Sequence, residues 1–223
     1  MIYWILFGAI SLISYIVQRN LTKKFDRYSN VPLAANLRGC DIAARMLQQN
    51  GIQATIRPVD GTLTDFFNPA DMSVNLSTPV FASSSIAAAA VAAHECGHAI
   101  QHKTRYSMLV LRTSLVPAVS FASKWVPWVL LAGILLVEAI PQLLLLGIGL
   151  FAITTLFSLV TLPVEIDASR RAIAWIEHSG IAQGGTLECA KDALRAAAYT
   201  YVVAALASLA TLIYYILVYT RRN

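Results

Sequence analysis

Residues Pro117 to Leu162 read PAVSFASKWVPWVLLAGILLVEAIPQLLLLGIGLFAITTLFSLVTL, and only Lys124 and Glu138 in this stretch are charged. About 20 apolar residues cross the hydrocarbon of a bilayer once as a helix, so the run is long enough to cross twice. Glu138, Pro141 and Gln142 interrupt it and mark the tip of a tight helical hairpin. The reading is one membrane helix from about Pro117 to Ala139 and its return from about Leu143 to Leu162, within an apolar block that opens near Ser107. Lys124, Trp125 and Trp128 read as an interfacial belt on the first leg.

Two further apolar blocks flank the hairpin. Ile2 to Val17 (IYWILFGAISLISYIV) has no positive residue before it and no small-residue cleavage site after it. The cations that follow, Arg19, Lys23, Lys24 and Arg27, hold its end on the cytoplasmic side, so it is expected to be an uncleaved anchor with its N-terminus outside. Tyr199 to Tyr219 is the fourth block, before Arg221 and Arg222. Hydrophobic residues make up 57% of the 223 and charged ones 13%, against about 25% charged in soluble domains. The fold class expected is mainly α: an integral membrane protein with about four transmembrane helices and a small α+β cytoplasmic unit.

Ten of the 17 lysines and arginines lie between Arg19 and Arg112 and four more between Arg170 and Arg195, which places both polar segments in the cytoplasm. Arg221 and Arg222 then fall outside, against the same rule, and the last block is left open between a span and a helix lying along the membrane. The chain divides into an anchor (1–18), a cytoplasmic α+β unit (19–112), a membrane hairpin (113–163), a cytoplasmic helical segment (164–197) and a C-terminal membrane helix with its tail (198–223). The net charge of +5 needs no nucleic-acid partner, because juxtamembrane cations facing anionic lipid account for it, and no phosphate-cradling glycine loop or aromatic-basic run is present. Cys40, Cys96 and Cys189 lack C-x-x-C spacing and read as free thiols.

Within the first polar segment, Asn36 to Asn50 carries a helical apolar stripe that Gly51 ends, and Ile52 to Val59 alternates as a strand before the Asp60-Gly61 turn. Leu63 to Phe67 and Met72 to Leu76 form a hairpin around Asn68, Pro69, Ala70 and Asp71. The serines at 83–85 offer an N-cap to a helix from Ile86 to about Lys103, and that helix contains HECGHAIQH (94–102).

Residues four apart share a helix face, so His94 and His98 can present two imidazoles to one ion while Glu95 projects beside them. Such a pair holds zinc, which lowers the pKa of a bound water towards about 7, and a carboxylate in reach takes the proton and returns it to the leaving amine. His102 continues the row, but each turn advances about 5.4 Å, too far for one ion to reach all three rings, so His102 reads as a supporting or surface residue. Uncharged flanks from Val91 to Ile100, apart from Glu95 and the histidines, suit a buried helix backing a metal cleft. Cys96 reads as a small packed residue, since Glu95 already accounts for the histidines.

The stretches LTDFFNPADMSVNLSTPVF (63–81), SIAAAAVAAHECGHAIQHK (85–103), LVLRTSLVPAV (109–119), LVTLPVEIDASRRA (159–172) and AAAYTYVVAALASL (196–209) resemble the YugP-like family of neutral zinc metallopeptidases of bacterial membranes. The resemblance implies a membrane-embedded, zincin-like peptidase whose metal motif is followed by a membrane hairpin, and more remotely a plan similar to the HtpX-type membrane metalloproteases. It also implies a downstream glutamate as third zinc ligand, in an E-x-x-A-D setting. Here EIDAS (165–169) supplies Glu165 and Ala168 but has Ser169 where that Asp stands, and Asp167 is either its substitute or a solvated side chain. Glu165 begins the polar stretch after the hairpin, read as a helix start behind Pro163, and the hairpin returns it to the face from which the metal helix entered.

The activity expected is a zinc-dependent metalloendopeptidase of the cell membrane, multi-pass, with its active site facing the cytoplasm, a peptide or protein as substrate and the bilayer as its surroundings. His94, His98 and Glu165 are the expected ligands and Glu95 the catalytic base. The hairpin before the metal helix is either a substrate-pairing edge or a plain structural element. Arg170, Arg171 and His178 read as surface residues. Two other classes compete: an idle zinc-binding scaffold, which would want a closed, cysteine-rich set of four ligands, and a zinc transporter, which would want ionisable residues within the spans.

Overall fold

The computed structural model describes residues 2–222, with side chains described from 5 to 221. The elements in chain order are helix α1 (Ile2–Ser29), helix α2 (Gly39–Gln49), strands β1 (Thr55–Val59), β2 (Phe66–Asn68) and β3 (Ser73–Ser77), a short helix α3 (Thr78–Ala82), and helices α4 (Ile86–Lys103), α5 (Ser107–Leu135), α6 (Pro141–His178) and α7 (Gly185–Arg222). Four of these, α1, α5, α6 and α7, are long and apolar enough to cross a membrane. Large apolar side chains stand exposed on them, Leu12 and Ile16 on α1 and Trp125 and Trp128 on α5 among them, as surfaces that face lipid rather than water do.

The small unit grows from local signals. Asn36 sits at φ +49°, which interrupts the helix expected from that residue, and α2 instead starts once the Asp41 carboxylate accepts hydrogen bonds from the Arg38 backbone N–H and guanidinium. Gly51, at φ +61°, ends it in the left-handed conformation that only glycine adopts at little cost. Leu63, at φ +58°, holds the chain out of extended geometry, so the strand expected from Leu63 forms only from Phe66. The sheet has the order β1-β3-β2, with β1 parallel and β2 antiparallel to β3, so β3 is the covered centre and β2 an edge. Ser85 caps α4 by accepting from the Ala88 N–H at 3.2 Å.

Helix α4 is the hub of the packing. Its alanines are almost fully buried against α2, the sheet, α6 and α7, in one core with Ile42, Met46, Val74 and Leu76. Burying an aliphatic side chain of that size stabilises by roughly 1.5–3 kcal/mol. A second apolar cluster, with Val126 and Leu130 facing Leu144 and Ile148, closes the α5–α6 hairpin around residues 136–140.

The long helices ignore the bounds read from composition. Pro163 is not a helix start: α6 runs unbroken through it, so Glu165 lies in mid-helix. Proline removes one backbone donor, and a helix packed among neighbours tolerates that loss. The block from Tyr199 to Tyr219 is likewise only the latter part of α7, whose first turns carry Glu188 and Asp192. There the Asp192 carboxylate accepts from Lys24 Nζ at 2.7 Å and Tyr28 hydroxyl at 2.6 Å, tying α1 to α7.

Candidate metal centre

The close approach of α4 and α6 builds the site. A Cβ on Gly97 would lie 2.6 Å from the Ala168 carbonyl oxygen, so only glycine lets the two backbones come this near. Glu165, one turn before Ala168, thereby meets the histidine face of α4. Its Oε2 lies 3.3 Å from His94 Nε2 and 3.6 Å from His98 Nε2. One donor atom from each of the three residues lies within 4.8 Å of the others. Tetrahedral donors roughly 2.0–2.1 Å from one zinc ion stand about 3.3–3.4 Å apart. The two imidazole–carboxylate separations lie near that spacing, and the chemistry of the donor set suits such an ion.

The remaining ring nitrogens are held from behind. Gln101 is fully buried, and its amide nitrogen donates to the Val164 carbonyl and the Asp167 carboxylate, each at 2.8 Å. Only its oxygen is left for His98 Nδ1, at 3.0 Å, so that nitrogen carries a proton and Nε2 is the atom turned towards Glu165. His94 Nδ1 meets the Ser169 hydroxyl at 3.1 Å. Ser169 itself thus stands behind His94, and Asp167 is no substitute for an aspartate there: it braces Gln101 and accepts from Arg171 Nε at 2.6 Å.

Glu95 is buried beside the cluster, and that burial raises its carboxyl pKa by more than the neighbouring His94 and His98 lower it. Burial opposes the charged form of His98, but the Glu165 and Glu95 carboxylates outweigh it and raise that pKa. Cys96 is fully buried with its thiol on the Ala43 carbonyl, and burial pushes its pKa up, as befits a packed residue rather than a nucleophile. Cys40, Cys96 and Cys189 are all free thiols.

Three groups at the site went unread in the sequence. Gln101 was within reach as the i+3 neighbour of His98. Arg112, on α5, places Nη1 3.4 Å from Glu165 Oε1 and stacks over Phe157, whereas in the sequence it stands out only as one of the cations flanking the hairpin. Tyr201, on α7, lines the cleft beside His94 and Glu95 and comes from an apolar block with no chemical signal. His102 lies at the cleft mouth, its ring centroid 5.9 Å from that of Phe67, outside the donor cluster. Arg170 and His178 are exposed.

The family model described as "Putative neutral zinc metallopeptidase" matches residues 3–220. The chain belongs to that family. It is similar to "Putative membrane protease YugP" of Bacillus subtilis (strain 168), with 40% identity over 208 residues, covering 93% of this chain and 92% of that one. No solved structure matches it. The family description names zinc, and His94, His98 and Glu165 are placed so that they could hold a metal ion.

Proposed function

We propose that the protein is a membrane-bound zinc metalloendopeptidase, and the observation that carries the reading is the HECGH turn facing Glu165 across the α4–α6 contact. His94, His98 and Glu165 would hold the metal. Among the described residues the donor cluster has these three members, the number of protein ligands that catalytic zinc sites use and fewer than closed structural sites have. Zinc bound there would supply Lewis acidity to a water and to the scissile carbonyl.

The protein's own residues do the rest. Gln101 and Ser169 fix the two rings so that both Nε2 atoms converge. Glu95, beside the ligands but not one of them, accepts the proton of the attacking water and delivers it to the leaving amine. Tyr201 and Arg112 reach the same cleft as donors for the charge that develops on the carbonyl oxygen. Strand β2, the sheet edge whose Phe66 and Phe67 line the cleft, pairs with an extended substrate backbone. The cation distribution orients this face to the cytoplasm.

Glu95→Gln tests the reading, because glutamine fills the same space but accepts no proton. Purified with zinc, it is expected to keep the wild-type metal content and lose about 10²–10⁴-fold in peptide hydrolysis. A variant that cleaves as fast as wild type removes Glu95 from the chemistry.

A further inference from the structure

Two cavities meet at the metal centre. The larger, about 410 Å³, runs beside β2, α5 and α6 and carries Arg112 and Phe157. The smaller, about 170 Å³, lies on the opposite side between α1, α4 and α7. Asp65, His94, Glu95 and Tyr201 line both, so the boundary between them falls where the reacting atoms sit. We infer that the smaller cavity is a specificity pocket that takes one uncharged apolar side chain, of leucine or phenylalanine size, from the substrate residue flanking the scissile bond. This rests on the metallopeptidase reading and adds to it the class of residue cleaved.

The walls set the chemistry. Leu21 and Phe25 of α1 form one side, Ala87 and Ala90 of α4 the floor, and Ala197 of α7 the other side. Away from His94 and Glu95, the charged group in the lining is Asp65, and it is already engaged: Ser77 donates to it from its backbone N–H at 2.7 Å and from its hydroxyl at 3.1 Å. A cationic side chain entering there meets an acceptor whose bonds hold β2 to β3, whereas an apolar one meets matching walls. Apolar cavities of about 150 Å³ take up a benzene-sized group, so about 170 Å³ suits one side chain of that bulk. The N-terminal membrane helix becomes part of the enzyme's selectivity rather than a tether alone.

The test is cleavage of a fluorescence-quenched peptide library by the purified full-length protein with zinc, in wild type, Ala197→Leu and Leu21→Ala, each checked for metal content and thermal unfolding. Wild type is expected to prefer Leu, Met or Phe at one position adjoining the cleaved bond. Ala197→Leu shortens the pocket, and kcat/KM on the leucine peptide is expected to fall about 10–200-fold relative to the alanine peptide, the range that small size changes produce in apolar pockets. Leu21→Ala is expected to shift preference towards bulkier residues, and it gives an independent reading should Ala197→Leu fail to fold. Zinc-dependent cleavage with no apolar preference beside the bond, a preference there for Lys or Arg, or unchanged profiles in folded variants each overturn the inference while leaving the peptidase reading standing. Absence of any zinc-dependent cleavage by wild type overturns both.

Discussion

Gln101→Leu removes one hydrogen-bonding group from the interior of α4 and leaves its bulk. In the wild-type arrangement the amide nitrogen is committed to Val164 and Asp167, and the oxygen alone receives the proton of His98 Nδ1. Leucine leaves that proton without an acceptor at a position that is fully buried in the wild type, a loss of about 1–3 kcal/mol. It also frees the ring to rotate or to take the other tautomer, which would point an N–H at the metal. Supporting residues of this kind change metal affinity by about 10–100-fold, and at about 1.4 kcal/mol per factor of ten the two approaches agree on about 1.4–2.8 kcal/mol. Asp167 keeps its bond from Arg171 at 2.6 Å, so the damage stays local. Zinc titration against a competing chelator, on protein in detergent with unchanged helical circular dichroism, should give a dissociation constant raised by that factor. A folded variant whose zinc affinity stays within about twofold of wild type would refute the claim that Gln101 sets the His98 tautomer.

Glu165→Ala and His102→Ala, compared side by side, should separate ligand from bystander: the first is expected to lose bound zinc and activity, the second to keep both, and the reverse pattern in metal analysis would move the site along α4. Gly97→Ala forces a methyl against the Ala168 carbonyl oxygen, and overpacking at a backbone contact should lower stability by about 1–3 kcal/mol and weaken zinc binding as α4 and α6 separate; unchanged thermal unfolding would show that the contact relaxes freely. Cysteines placed at Thr62 and Glu138, in a background with the native thiols replaced, should label from opposite sides of the membrane, and labelling from one side only would remove the membrane hairpin.

The sequence by itself determined the parts whose signals are local. Apolar blocks located all four long helices, since the length of lipid to be crossed is a property of composition along the chain. Ser85 and the four-residue spacing of His94 and His98 marked α4 and its histidine face, because an N-cap and a helical repeat depend on neighbours in sequence alone. What joins residues far apart in sequence was decided only by the tertiary structure. The sequence expectation of a helix start behind Pro163 failed because packing against α4, α5 and α7 carries α6 through the proline. Ser169 behind His94, Gln101 between His98 and Asp167, and Tyr201 over the cleft each depend on which side chains α4, α6 and α7 bring face to face. No periodicity reports such a meeting, because its cause is the shape of two packed surfaces, here the bare backbone at Gly97 that lets Glu165 come within 3.3 Å of His94 Nε2.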